Sequence, residues 1–271
     1  MATVCDIAHP PVSSAARVTL ALMEWETSLV GRKIGRVHGV ETIGDVRRGA
    51  SVLAQVERHA IASEFSLITS RVDVDHVKAV WALEAAGFVT ADVGVTFEYD
   101  LAGVHEASSI GGGAWVVREA DRHDVPALQA TVNGLFLSSY YYVSQFLSRA
   151  EADLLYRTWI GNCVLRGRAD RVLVADVSGT VAGFITCRRA SREAGVIELV
   201  GVSPKYGSRG IGKSLVHAAL DCFRDLGAPT VRVRTQVTNL AAVNLYSATG
   251  ARLVKVDTTF IKPLDDRRMA A

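Results

Sequence analysis

The sequence predicts an α/β (α+β) chain built as two domains, of which the second holds a ligand. Three observations support this: a glycine-rich bend between an apolar strand and an amphipathic helix at Val202–Val216, a regular succession of strand and helix patterns after Trp115, and an ungapped similarity between two distant segments. At 271 residues the chain exceeds a comfortable single core. It suits one domain of roughly 100 residues and one of roughly 150. The expected division is 1–101, a linker at 102–114, and 115–271. The linker, Ala102-Gly-Val-His-Glu-Ala-Ser-Ser-Ile-Gly-Gly-Gly-Ala114, is small, polar and glycine-rich.

The elements follow in order. In the first half, Ala79–Leu101 reads as a helix, a glycine stop at Gly87 and a strand, and it aligns without gaps on Ala242–Leu264. Ala79, Val80, Ala85, Gly87, Val93, Thr96, Phe97 and Leu101 meet identical residues there, so the chain reads as two copies of one ending. After the linker, Trp115–Arg118 is a short strand, Asp121–Phe136 a helix opened by Asp121, and Arg149–Cys163 an amphipathic helix. Strands Arg171–Val177 and Val181–Arg188 are joined by the hairpin signal Ser178-Gly179. Strand Val196–Val202 enters the glycine bend. Helix Gly210–Leu226, strand Thr230–Thr235, helix Leu240–Thr249 and strand Arg252–Ile261 complete the order.

Gly207, Gly210 and Gly212 allow close approach of the backbone to a ligand and positive φ, while the amides of Ser208, Arg209, Gly210, Ile211, Gly212 and Lys213 point outward at a helix start. An anion is the natural occupant. Gly207-Ser-Arg-Gly-Ile-Gly-Lys-Ser214 misses the Walker spacing by one residue. A dinucleotide fingerprint requires an acidic residue after the next strand, which here carries Arg232 and Arg234 instead.

From about Trp115 to Leu264 the chain resembles the GNAT N-acetyltransferases, whose acetyl-coenzyme A loop reads [Gln/Arg]-x-x-Gly-x-[Gly/Ala]. Gly210-Ile-Gly212 supplies both glycines, and Gly207 stands at the Gln/Arg position, which leaves Arg209 or Lys205 to replace that contact. Downstream, Asn239-Leu-Ala-Ala-Val-Asn-Leu-Tyr246-Ser-Ala-Thr-Gly250 is similar to the family's Asn-x-x-Ala-x-x-Leu-Tyr-x-x-x-Gly-Phe, with Ala251 at the last position. The resemblance implies a GNAT fold with a smaller, degenerate GNAT-like first domain, in which Leu83 stands where the second copy has Tyr246 and no comparable glycine loop occurs. It implies acetyl-coenzyme A as acyl donor, held by the bend, by the splayed strand at Val200, Gly201 and Val202, and by Asn239. It assigns to Tyr246 the proton for the leaving thiolate. Glu198, a carboxylate within an apolar strand at the position of the family's catalytic glutamate, is the candidate base, with an ion pair to Arg188, Arg189 or Arg232 as the alternative.

The wider pattern, including Glu24-Trp-Glu-Thr-Ser-Leu-Val-Gly31, Gly87-Phe88 and Leu155-Tyr156-Arg-Thr-Trp159, is similar to the TDP-fucosamine acetyltransferase group. The implied acceptor is an amino-sugar nucleotide, or alternatively a small amine, amino acid or natural-product intermediate. Where that group has Ser-Arg-Phe-x-x-Asp, this chain has Ser139-Tyr-Tyr-Tyr-Val-Ser144. Tyr140, Tyr141 and Tyr142 are therefore candidates to stack on the acceptor, or else to pack the loop onto the core. Tyr156 and Trp159 read as helix-face core.

With 30 Lys+Arg against 28 Asp+Glu, the chain shows no basic stripe with interleaved aromatics, so a nucleic-acid surface is not expected. Four cysteines without C-x-x-C spacing predict neither a zinc site nor a disulfide framework. The first residues lack the pattern of a leader, and no apolar run reaches the length of a membrane span, so a cytoplasmic protein is expected. Many relatives add a seventh strand, for which Pro263 and the polar tail leave no room. The exposed edge is expected to be covered by the first domain or by a second subunit, as in a homodimer.

Overall fold

The computed structural model describes residues 4–6, 18–102, 115–144 and 146–265; the first residues, nearly all of the expected linker and the last six residues lie outside them. In chain order the elements are β1 (Val4–Asp6), β2 (Thr19–Leu22), α1 (Glu24–Val30), β3 (Lys33–His38), α2 (Val46–Ala62), β4 (Phe65–Asp73), α3 (Val77–Ala85) and β5 (Val89–Asp100). The second half adds β6 (Val116–Glu119), α4 (Val125–Val132), α5 (Tyr140–Val143), α6 (Arg149–Leu165), β7 (Arg171–Val177), β8 (Thr180–Arg189), β9 (Ala194–Ile197) and β10 (Val200–Val202). It ends with α7 (Ile211–Asp225), β11 (Thr230–Gln236), α8 (Leu240–Ala248) and β12 (Arg252–Pro263).

Two compact units result, and they do not follow the chain in sequence. Unit 1 is Met1–Gly94, Ser138–Ala152 and Val256–Ala271; unit 2 is Val95–Leu137 and Asp153–Lys255. The expected division at 101 and 115 differs from this because strand pairing, rather than the polar linker, sets the boundaries. The long strands β5 and β12 each begin in one unit and end in the other.

In unit 1, β2 pairs antiparallel with β3, β3 parallel with β4, and β4 antiparallel with β12 from Asp257 opposite Asp73 to Pro263 opposite Leu67. One face of these strands presents Leu20, Val37, Ile68, Val72 and Phe260 to a core shared with Leu53, Val56 and Ala60 of α2 and with Ala79, Ala82 and Leu83 of α3. The apolar residues of α2 recur at helical spacing, and Asp45 caps its start by accepting from the Arg48 amide at 2.8 Å.

In unit 2 the strand order is β5, β11, β9, β8, β7, β6, with β10 attached to β8. Ser178 (φ 49°) and Gly179 (φ 81°) make the tight β7–β8 hairpin. The expected helix at Asp121–Phe136 is shorter. A 3-10 turn at Arg122–Asp124, closed by a capping box between Asp121 and Asp124, leads into α4, which stops at Val132. Asp124 also takes both terminal nitrogens of Arg118 at 2.7 and 2.9 Å, tying β6 to this turn.

Beside β11 lies the Val95–Asp100 half of β5. Correspondingly, β4 receives the Val256–Pro263 half of β12. The internal similarity reappears in the fold, since α3 and β5 begin and end at the residues aligned with the ends of α8 and β12. Gly87 (φ 79°) and Gly250 (φ 92°) stop the two helices in the same left-handed conformation.

Helix α7 lies against β7, β8 and β10 along its buried side, Ile211, Leu215, Ala219 and Phe223. The Phe223 ring sits over Gly195, where an added Cβ would lie 2.4 Å from the ring. Gly195→Val should therefore destabilise unit 2 by about 1–3 kcal/mol through overpacking, read as a lower urea midpoint. An unchanged midpoint would mean that α7 is free to shift off the sheet.

Candidate active site

A single strand was expected at Val196–Val202, but Glu198 and Leu199 interrupt it. Arg188 on β8 faces Val196, whereas Ile185 faces Val200, so the register advances by one residue across the break. One extra residue on one strand is a β-bulge, which bends and twists the strand carrying it. Thr186 fixes the break from β8: its amide donates to Leu199 O at 2.9 Å, and its Oγ1 accepts from the Leu199 amide at 3.0 Å. Beyond it, β10 pairs only with β8, while β11 pairs in parallel with β9 over Thr230–Val233. The backbone of Val200, Gly201 and Val202 therefore has, among the described residues, no strand partner on the edge away from β8.

The glycine bend follows. Pro204–Tyr206 is a 3-10 turn, Gly207 is extended (φ −61°, ψ 157°), and Gly210 (φ 90°) begins α7 from the left-handed region. The expectation of positive φ at three glycines holds only for Gly210; Ser208 (φ 58°) takes the other such position. Gly212 lies within α7, and its reason is proximity, since a Cβ there would meet Leu245 Cδ2 at 3.3 Å. Gly207 to Gly210 and Lys213 are exposed, and buried Ile211 anchors the helix start. Lys205 and Arg209 both lie 5.5 Å from the Tyr206 ring. Exposed amides at the start of a 15-residue helix, with flanking cations, fit a pyrophosphate.

Glu198 projects from the bulge into a set of donors. Arg188 Nε donates to Oε1 at 2.9 Å, Trp159 Nε1 donates to Oε2 at 3.2 Å, and Arg168 Nε stands 3.6 Å from Oε2. Of the cations weighed from the sequence, Arg188 is the one that pairs, and Arg168 joins it. Arg168 lies over the Trp159 ring at 4.7 Å, Trp159 is nearly parallel to Tyr156 at 6.1 Å, and Tyr156 stacks on Phe136 at 4.5 Å. Trp159, read from the sequence as core, thus has its polar edge on the carboxylate, while Tyr156 is buried as expected.

Tyr246 is the buried residue of α8, with its ring centroid 5.7 Å from that of Phe97. Burial raises its pKa, and neighbouring Tyr99 adds to the effect, so the phenol keeps its proton through the neutral range. Tyr99 in turn shares a 2.7 Å hydrogen bond with Thr249 Oγ1. Asn239 caps α8, accepting from the Ala242 amide at 3.3 Å and donating to Thr235 Oγ1 at 3.2 Å.

Unit 2 therefore contains Glu198, the β10 edge, the glycine bend, Asn239 and Tyr246. Tyr140, Tyr141 and Tyr142 belong to unit 1, where they form the short helix α5 rather than a loop. Tyr140 and Tyr141 are buried with ring centroids 4.2 Å apart, and Tyr141 donates to Glu26 Oε1 at 2.9 Å. Sequence reasoning missed Phe97, Tyr99, Trp159 and Arg168. The first two were legible only as the inward face of a strand assigned to the other domain, and no local pattern marks the last two.

Residues 135–251 match the model of the Acetyltransferase (GNAT) family, so the chain carries a GNAT acetyltransferase domain and is an acyltransferase of that kind. The family's acyl donor is acetyl-coenzyme A. Among curated proteins, dTDP-fucosamine acetyltransferase of Escherichia coli O6:H1 is 26% identical over 70% of this chain and 78% of its own length. Mycothiol acetyltransferase of Nocardiopsis dassonvillei is 36% identical, over 27% of this chain and 22% of that relative. A GCN5-related N-acetyltransferase structure from Sphaerobacter thermophilus shares the fold, with a TM-score of 0.67 at 14% identity, covering 91% of this chain and 76% of that one. No helix among the described residues is long and apolar enough to cross a membrane.

Burial pushes the Tyr99 phenol up to about 12, against its hydrogen bond to Thr249. A folded pKa above the unfolded value means that the stability it carries is complete below pH 10 and is lost as pH rises through about 12. Roughly 3 kcal/mol is at stake. Urea midpoints between pH 9 and 11.5 should fall less steeply for Tyr99→Phe than for the wild type; parallel curves would show that Tyr99 ionises as freely when folded as when unfolded.

Proposed function

We propose that this protein transfers an acetyl group directly from acetyl-coenzyme A to a primary amine, preferably that of an amino-sugar nucleotide. The observation that carries the reading is the divergence of β10 from β11 directly ahead of the glycine bend. The donor supplies a thioester acyl group, and the chain's own residues do the rest. The amides from Ser208 to Lys213, with Arg209, hold the pyrophosphate, and Asn239 contributes beside the pantetheine arm. The free edge of Val200, Gly201 and Val202 offers backbone amides that align the thioester and polarise its carbonyl.

Tyr246 is the proposed acid: its buried phenol retains a proton at neutral pH and gives it to the leaving sulfur. Glu198 is the proposed base, acting on the amine directly or through water. Its two oxygens accept from Arg188 and Trp159, and the carboxylate's further lone pairs leave it able to accept from the amine or from a water. Tyr140, Tyr141 and Tyr142 are proposed to line the acceptor side, with only Tyr142 and the edge of α5 reachable from solvent. No metal takes part in this scheme.

The sugar-nucleotide acceptor is supported by the similarity to a dTDP-fucosamine acetyltransferase over most of both chains. A small-amine acceptor is the second reading, favoured by the loss of charge in Ser139–Ser144 and by the shorter match to a mycothiol acetyltransferase.

Thiol release from acetyl-coenzyme A is expected only when an amine is supplied, and faster with dTDP-linked amino sugars than with amino acids. Equal slow release with every amine would remove the dedicated acceptor. Tyr246→Phe should lower kcat about 10–100-fold with little change in coenzyme A affinity. Full retention of kcat would leave Tyr246 as core. Glu198→Gln should alter the acidic limb of the pH–rate profile, whereas an unaltered limb with a lower urea midpoint would make the carboxylate structural.

A further inference from the structure

One buried hydroxyl decides which amides of β10 face outward. Thr186 lies inside β8, fully buried, between the apolar residues Ile185 and Cys187. Its side-chain oxygen is spent on Leu199. Oγ1 accepts from the Leu199 amide at 3.0 Å and donates to Leu199 O at 3.3 Å, a carbonyl that also takes the Thr186 amide at 2.9 Å. Leu199 is itself buried, so without that oxygen its amide has no water to turn to.

In an antiparallel pair, opposed residues alternate between those that exchange main-chain hydrogen bonds and those whose amides point away. Two bonds set this phase on β10. Thr186 N donates to Leu199 O at 2.9 Å and Ser203 N to Ala182 O at 2.8 Å, and Gly201 opposite Phe184 lies midway between these pairs. Leu199, Gly201 and Ser203 therefore turn their amides to β8. Val200 and Val202 turn theirs to the edge that has no strand partner among the described residues. On β9 the count differs, since Ala190 N donates to Ala194 O at 3.0 Å and Arg188 faces Val196. Continued without the extra residue, that phase would set Val200 opposite Phe184, turn the Val200 and Val202 amides inward and leave Gly201 at the edge. Packing excludes this arrangement. A Cβ at Gly201 would lie 2.6 Å from Leu135 Cδ1 and 3.0 Å from Phe184 Cε1, so a valine does not fit there.

We propose that Thr186 is a positioning residue for acyl transfer: by taking both main-chain polar groups of Leu199 it holds the extra residue in place, and so presents the Val200 and Val202 amides, rather than that of Gly201, to the thioester carbonyl. That these amides meet a thioester rests on the acyl-transfer reading above; the pin on Leu199 does not. Valine keeps the shape of threonine and lacks its oxygen. In Thr186→Val the Leu199 amide must compete for a β8 carbonyl, which draws the start of β10 inward and tilts both outer amides. A misplacement of about 1 Å costs on the order of 100-fold in rate.

The test joins kinetics to amide hydrogen exchange, read by NMR on the full chain. With a dTDP-linked amino sugar as acceptor, Thr186→Val should lower kcat by about tenfold or more while coenzyme A affinity changes by less than about threefold, and Thr186→Ser should recover most of the loss. A purely structural role would lower the urea midpoint and leave kcat of the folded protein intact. In the wild type, the Leu199 and Gly201 amides should be protected and those of Val200 and Val202 should exchange freely, with acetyl-coenzyme A slowing these two about tenfold more than coenzyme A does. Full kcat in folded Thr186→Val, or no recovery with serine, would overturn the proposal. Where the valine variant does not fold, or no amine gives turnover, the wild-type exchange pattern decides: free exchange at Gly201 with protection at Val200 and Val202 would overturn it. If acetyl-coenzyme A protects neither outer amide, the acyl-transfer reading of this edge fails, whereas loss of Leu199 protection in Thr186→Val would still uphold the pin.

Discussion

The break between β9 and β10 is the constraint on which the rest of unit 2 depends. A continuous strand would pair β8 on one side and β11 on the other along its whole length, and its amides would all be consumed. Inserting one residue at Glu198–Leu199, pinned by Thr186, frees the β10 edge and aims the chain into the glycine bend. The same insertion sends the Glu198 side chain into the array of Arg188, Trp159 and Arg168. The unpaired β10 edge, the entry into the bend and the placing of the carboxylate thus follow from one local irregularity.

A second constraint is the course of the chain. Tyr246 packs on Phe97 in unit 2, and Leu83, its counterpart in the internal similarity, shares the unit 1 core with Phe260, the counterpart of Phe97. Each helix is therefore completed by the strand that follows the other helix. In unit 2 the strand from the early part of the chain supplies both the wall for Tyr246 and the Tyr99–Thr249 hydrogen bond. Val95–Asp100 thus belongs to the same compact unit as the glycine bend and Tyr246, although both lie far downstream.

Much of the local structure was legible because its signals are local. The Ser178-Gly179 hairpin needs two residues of positive φ, Asn239 needs a helix start to cap, and Gly87 and Gly250 end their helices in one conformation. The bulge was not legible, since Val196–Val202 is apolar enough to read as unbroken strand and the extra residue is defined only against β8. The positive φ at Ser208 instead of Gly207 was equally hidden, as it is set by the turn at Pro204–Tyr206.

The sequence by itself determined the order of elements, the glycine bend, the repeated helix–stop–strand ending and the class of anionic donor group, all of which rest on residues near one another in the chain. Tertiary structure alone decided which strand lies beside β11 and which donors occupy Glu198. Pairing partners and charge neighbours far apart in sequence are selected by the burial of whole faces, and that competition leaves no trace in any short window of residues.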